Sequence, residues 1–255
     1  MRPNKIKEMW AAGQSASLGW LSISHSFTAE MMARQGFDAL CVDLQHGMSE
    51  MNDVLPMLQA ISQTDTVPFV RVAWNDPATI MKALDVGAYG IIVPLVNNAE
   101  EAAKAVAACR YAPVGMRSSG PIRAAHYGGA NYFEEANDQI IVMAMIETKE
   151  GLENLDAICA TPGLDAVYIG PADLSYALGL PPQADNPNPL HMETCNKIRD
   201  TAHKRGIKAV MHCAGAEFAA GAIKRGFDMV MLTSDLACMI AGAKDQLAKL
   251  KAGTS

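Results

Sequence analysis

The chain has 255 residues, 50% of them hydrophobic and 19% charged, with a formal net charge of −6. Half the residues being apolar excludes a disordered chain, and the acidic balance argues against a nucleic-acid or anionic-membrane surface, which would need clustered Lys and Arg. No apolar run approaches the ~20 residues of a membrane span, and the opening MRPNKIKEMW lacks the apolar core of a signal peptide, so a cytoplasmic location is expected.

In chain order the predicted elements are strand 17–23, helix 29–35, strand 39–44, helix 52–64, strand 68–72, helix 78–86, strand 89–93 and helix 99–111. They continue as strand 140–146, helix 151–160, strand 166–169, helix 192–205, strand 207–211, helix 217–225, strand 229–232 and helix 236–251. Most of the strands are continuously apolar and rich in Val and Ile, as expected of parallel strands covered on both faces. The phrases RQGFDALCVD, DVGAYGIIVP, KRGIKAVMH and KRGFDMVML each place a Gly after a helix and before a strand, where it can stop the helix in the left-handed conformation. Eight βα units predict one domain over 1–255, an α/β protein with the (β/α)8 TIM-barrel architecture; an open doubly wound sheet is the alternative. The interval 95–139 reads as one helix followed by the loop RSSGPIRAAHYGG. The six cysteines (41, 109, 159, 195, 213, 238) contain no C-x-x-C pair and read as small buried hydrophobes in a reducing compartment.

In such a barrel function gathers at the C-terminal ends of the strands. Polar residues are scarce within the strands and abundant just past them. Asp43, Gln45 and His46 follow the second strand, Arg71 ends the third and Glu147 the fifth. The sixth runs into Gly170, Pro171, Ala172 and Asp173, the seventh into His212, and the eighth into Thr233 and Ser234. Glu147 and Asp173 end consecutive strands, and two hard oxygen ligands with open positions suit Mg²⁺ or Mn²⁺; Co²⁺ fits the same ligands. The alternative is a pair of helix-capping carboxylates, or pairing with Lys149. His46 has a near-neutral side chain suited to moving protons. Arg71 needs an anion, either Asp43 in a core salt bridge or a substrate oxyanion. The segment Gly170-Pro171-Ala172-Asp173 can present the N–H groups of its non-proline residues to a carboxylate, or form an ordinary βα turn. No lysine stands in the mouth, which disfavours a Schiff base: Lys149 lies past its strand and Lys208 at the wrong end of another.

Taken together, VDLQHG, FVRVAW, LDVGAYGIIVPLVNNAEEA, MRSSGPIRA, IETKEG and GPADLS resemble the HpcH/HpaI family of metal-dependent pyruvate aldolases, of the 4-hydroxy-2-oxoheptanedioate and 2-keto-3-deoxy-sugar-acid type. The resemblance runs over nearly the whole chain. It implies a TIM barrel whose last helix packs on a neighbouring subunit, usually in a hexamer, a trimer of dimers. It implies a divalent metal on Glu147 and Asp173, a proton-relay His at His46 held by Asp43, and an essential Arg at Arg71. It places at Asp85 an Asp that pairs with the His across a subunit boundary, and at Ala172 and Asp173 the amides that hold the pyruvate carboxylate. Met145 stands where many relatives have Gln, and His212 where many have an apolar residue. With Trp20 and the Arg117–Arg123 loop, His212 is a candidate for shaping the aldehyde site.

The expected activity is reversible cleavage of a 4-hydroxy-2-oxo acid to pyruvate and an aldehyde, through a pyruvate enolate at the metal. Two rivals remain at this level: a CoA-ester lyase of the malyl-CoA or citrate-lyase β-chain type, and a non-catalytic barrel that binds a small carboxylate. The expected partners are these small molecules and further copies of the chain, with no nucleic acid and no membrane.

Overall fold

The computed structural model describes residues 1–254. The chain begins with α1 (Lys5–Ala11), β1 (Ala16–Leu21), α2 (Ser26–Ala33), β2 (Ala39–Asp43), α3 (Met51–Ile61), β3 (Val67–Arg71), α4 (Pro77–Asp85), β4 (Gly90–Val93) and α5 (Ala99–Cys109). Next come α6 (Arg123–Gly128), α7 (Tyr132–Gln139), β5 (Ile141–Ile146), α8 (Lys149–Glu153), α9 (Leu155–Cys159), β6 (Ala166–Ile169) and α10 (Pro171–Ala177). The last elements are α11 (Pro189–Lys204), β7 (Lys208–His212), α12 (Ala216–Lys224), β8 (Met229–Ser234) and α13 (Asp235–Gly253). The eight strands pair in parallel, each with the next, and β8 returns to β1 to close the barrel. The TIM-barrel expectation holds, and closure rules out the open doubly wound sheet.

Strand side chains alternate between two apolar layers. Leu40, Val42, Val70, Ile91, Val142, Ala144, Val167 and Met211 face outward to the helices. Leu18, Trp20, Cys41, Phe69, Ile92, Met143, Met145, Tyr168, Val210 and Met231 fill the barrel. With both faces buried there is no polar alternation to read, which is why these strands appear in the sequence as continuous apolar runs. At the αβ turns the expected glycines do take positive φ, including Gly36 at +91° and Gly226 at +97°.

The sequence pattern did not reveal α1. Asn4 caps it, accepting from the Ile6 N–H, and Ile6 and Trp10 point into the barrel cluster. Lys5 pairs with Asp38 and Lys7 with Asp165, each at 2.8 Å, while Trp10 Nε1 donates to the Asp228 carbonyl at 3.0 Å. These three aspartates directly precede or begin the approach to β2, β6 and β8, so α1 closes the N-terminal end of the barrel.

Three further expectations are corrected. The interval 95–139 holds α6 and α7 as well as α5, because Tyr132 and Ala136 are buried and anchor that stretch as helix. Thr233 and Ser234 lie within β8, paired to Gly19 and Trp20, and Ser234 caps α13 by accepting from the Ala237 N–H. Five of the cysteines are buried, but Cys238 is exposed on α13.

Candidate active site

The two-residue period of a strand decides which side chains reach the mouth from inside the barrel. Continuing the inward-facing positions to the strand ends gives Trp20, Asp43, Arg71, Glu147 and His212. Asp43 and Arg71 are direct partners in the β2–β3 register. Arg71 Nε donates to Asp43 Oδ1 at 2.8 Å and Nη2 to Oδ2 at 2.6 Å, a two-pronged fork that leaves Nη1 outside it. Trp20 Nε1 also donates to Asp43 Oδ2, at 3.1 Å, and the indole ring lies 4.8 Å from the guanidinium carbon. Burial pushes the Asp43 carboxyl upward, but the bonds and charge of Arg71 outweigh it and its pKa is lowered. The guanidinium is raised by the same pair against its own burial. The salt bridge and a charge at the mouth are therefore compatible: Asp43 fixes Arg71 from one side only.

His46 is exposed at the rim. Asp43 reaches it through the main chain, accepting from the Gln45 N–H at 3.0 Å and the His46 N–H at 3.4 Å. The carboxylate thus shapes the turn that carries His46, and within one chain it does not bond the imidazole.

Glu147, one residue past β5, is buried. Its Oε1 accepts from the Leu95 N–H at 2.8 Å. Its Oε2 lies so close over Gly170 that a Cβ there would collide with it, which explains the glycine at the head of GPADLS. Burial raises the Glu147 pKa to about 7 and the negative charge of Asp173 adds to the rise, while the Leu95 N–H and the Arg71 charge oppose it. Asp173 occupies the first turn of α10, whose N-cap is Gly170. Lys149 pairs with Glu153 at 3.9 Å, so it is not the partner of Glu147.

Among the described residues no three His, Cys, Asp or Glu side chains form a metal cluster. Apart from Asp43, which is paired with Arg71, the mouth offers the carboxylates of Glu147 and Asp173, the first of them buried. That donor set fits a hard divalent cation that completes its shell with water and substrate oxygens, and it fits zinc poorly.

His212 ends β7 with its Nδ1 2.7 Å from the Tyr168 hydroxyl and its ring edge-on to Trp20 at 5.1 Å. Burial, together with the Arg71 charge, lowers its pKa to about 4. Burial also holds Tyr168 protonated, its pKa far above the usual value, so a neutral hydroxyl and a neutral imidazole share this hydrogen bond. Sequence reasoning missed Tyr168 because an aromatic within an apolar run reads as core.

Asp85 lies elsewhere in the chain, at the C-terminal end of α4, where its Oδ1 accepts from Arg117 Nη2 at 2.9 Å. Arg117 also donates to the Tyr132 hydroxyl at 2.9 Å. Arg123 is spent on the Val86 and Leu58 carbonyls and Ser62 Oγ. Neither arginine joins the cluster at the mouth within one chain.

The pattern of the family described as HpcH/HpaI aldolase/citrate lyase matches residues 16–241. The chain belongs to that family. Hydroxypyruvate/pyruvate aldolase of Rhizorhabdus wittichii is 39% identical over 249 residues, covering 98% of this chain and 99% of that protein. The 4-hydroxy-2-oxo-heptane-1,7-dioate aldolase of Salmonella heidelberg is 43% identical over 187 residues, 72% of this chain and 70% of that one. Among solved structures, an HpcH/HpaI aldolase/citrate lyase family protein from Burkholderia cenocepacia superposes with a TM-score of 0.90 at 27% identity, covering 97% and 99% of the two chains. In this HpcH/HpaI family member, Arg71, Glu147 and the start of α10 lie around one mouth.

Proposed function

We propose that the protein is a divalent-metal-dependent aldolase that reversibly cleaves a 4-hydroxy-2-oxo acid into pyruvate and an aldehyde. One observation supports this reading beyond family membership: a buried Glu147 that feels the negative charge of Asp173 and the positive charge of Arg71, an arginine held in turn by Asp43. Glu147 and Asp173 would hold the cation, with Mg²⁺ or Mn²⁺ the best match to two carboxylates. When bound, it supplies Lewis-acid charge to the 2-oxo acid.

The chain's own residues do the rest. The amides of Ala172 and Asp173, at the start of α10, take the substrate carboxylate. In the cleavage direction the C4 hydroxyl gives up its proton toward His46, the C3–C4 bond breaks to release the aldehyde, and its electron pair forms the enolate of pyruvate. Arg71 Nη1, free of the Asp43 fork, meets the charge that develops on the C2 oxygen. A proton delivered to C3 then yields pyruvate. Trp20, its N–H committed to Asp43, steadies Arg71. His212, held neutral by burial and the Arg71 charge, would offer its free ring nitrogen to a polar group of the substrate rather than act as a cationic acid.

The proposal includes an assembly. Leu236, Met239, Ile240, Leu247 and Leu250 of α13 are exposed within one chain, an apolar helix surface that a neighbouring subunit would cover. In a hexamer built this way, Asp85 of one chain would orient His46 of the next. The reading is tested by cleavage of a panel of 4-hydroxy-2-oxo acids with pyruvate release coupled to its reduction. It expects turnover of several members that differ in the aldehyde half. Preferential cleavage of a CoA thioester, with no turnover of free oxo acids, would overturn it.

A further inference from the structure

Among the described residues, Leu95 is the one non-glycine at positive φ, +54°. Side chains other than glycine rarely adopt that conformation, and it persists only where the surroundings over-determine it. Here they do. Asn97 Nδ2 donates to the Leu95 carbonyl at 2.9 Å, and Asn97 Oδ1 accepts from Thr148 Oγ1. The Asn97 N–H donates to Glu101 Oε2 at 2.7 Å, and Asn154 Nδ2 donates to the Asn97 carbonyl at 2.9 Å. The Val96 N–H reaches the Met145 carbonyl at 3.3 Å. The product of this turn is one N–H, that of Leu95, placed 2.8 Å from Glu147 Oε1.

We infer that the Leu95 turn, locked by the Asn97 amide, orients Glu147 as a one-oxygen cation ligand, and that Asn97 is a positioning residue of that site. The inference rests on the cation-binding role proposed above for Glu147. One end of the Asn97 amide fixes the backbone that donates to Oε1. The other end holds Thr148, the residue that follows Glu147 in the chain. A single side chain therefore ties both the donor and the end of the strand bearing the carboxylate. Oε1 accepts from the Leu95 N–H, and Oε2, which lies over Gly170 and carries no hydrogen bond among the described residues, is the oxygen left for a cation. Bonds that orient a metal ligand in this way typically govern affinity by ten- to a hundredfold.

The test is Mn²⁺ titration by calorimetry of the full-length protein, stripped with EDTA and dialysed, together with the Mn²⁺ activation constant for turnover. Asn97→Ala is expected to bind Mn²⁺ at least ~10-fold more weakly and to raise the activation constant by the same factor, with kcat at saturating Mn²⁺ little changed. Asn154→Ala, which loosens the same turn from outside without touching the Leu95 carbonyl, is expected to lower the thermal midpoint and leave affinity within about twofold. If Asn97→Ala does not fold, adding Leu95→Gly removes the backbone strain, and the double variant is expected to bind weakly because the turn is unlocked. Wild-type affinity in either Asn97 variant, or a loss in Asn154→Ala equal to that in Asn97→Ala, overturns the inference. A wild-type protein that binds no Mn²⁺, or a Glu147→Gln variant that binds it undiminished, overturns instead the cation site on which it rests.

Discussion

Glu147 concentrates the physical tension of the site. Its carboxyl is raised by burial from 4.5 to about 7. A folded-state pKa above the unfolded one means that the group's contribution to stability is complete below about pH 4.5 and is lost as the pH rises through about 7. At ~1.36 kcal/mol per pKa unit, the loss is about 3 kcal/mol. Without metal, the stability of wild type relative to Glu147→Gln should therefore decline across this window, as read from urea midpoints in EDTA. Saturating Mn²⁺ should remove the decline, because the cation offsets the charge that burial penalises. A difference between the two proteins that is flat with pH in EDTA would contradict the environment assigned to Glu147. What the sequence made legible was the position of charged side chains at or just past the ends of apolar strands: Asp43, Arg71 and Glu147, with Asp173 in the turn that follows β6. Leu95 was not legible, since its contribution is a main-chain N–H that no side-chain pattern announces.

Among the elements, the strands were readable because burial on both faces writes them as unbroken apolar runs, and boundaries shifted by no more than two residues at either end. Helices that depend on tertiary contacts were not readable. α1 offers only Ile6 and Trp10 to the core, α6 and α7 lie in a stretch whose glycines and prolines look like loop, and α10 opens on Gly-Pro. The position of α1 leads to its own prediction. Trp10 plugs the N-terminal end of the barrel, opposite the mouth, and in (β/α)8 enzymes that end serves stability. Trp10→Ala should cost about 3 kcal/mol of unfolding free energy, the usual loss for a large buried aromatic. Specific activity of the folded fraction, measured well below the thermal midpoint, should be unchanged. A folded but inactive Trp10→Ala protein would contradict this division of labour between the two ends.

At the scale of the whole molecule, the proposed site is incomplete in one chain. His46 stands at the C-terminal end of the barrel, and Asp85 ends a helix that returns to the N-terminal end, already bonded to Arg117. A five-residue strand spans roughly 16 Å, so an Asp85 that orients His46 must come from another subunit. Inactive His46→Ala and Asp85→Ala proteins, dissociated and reassembled together, should regain activity. Random mixing restores both residues to about a quarter of the sites in a closed assembly with matching interfaces. A fully active Asp85→Ala protein, or no recovery on mixing, would refute the shared site. The proposed enolate chemistry needs both the carboxylate pair and Arg71, and exchange of the pyruvate methyl protons with D₂O, followed by NMR, is its sharpest test. Exchange is expected in the Mn²⁺-loaded protein, with its loss in EDTA, its return when Mn²⁺ is restored, and none in Arg71→Ala; exchange that continues undiminished in EDTA or in Arg71→Ala would rule this chemistry out.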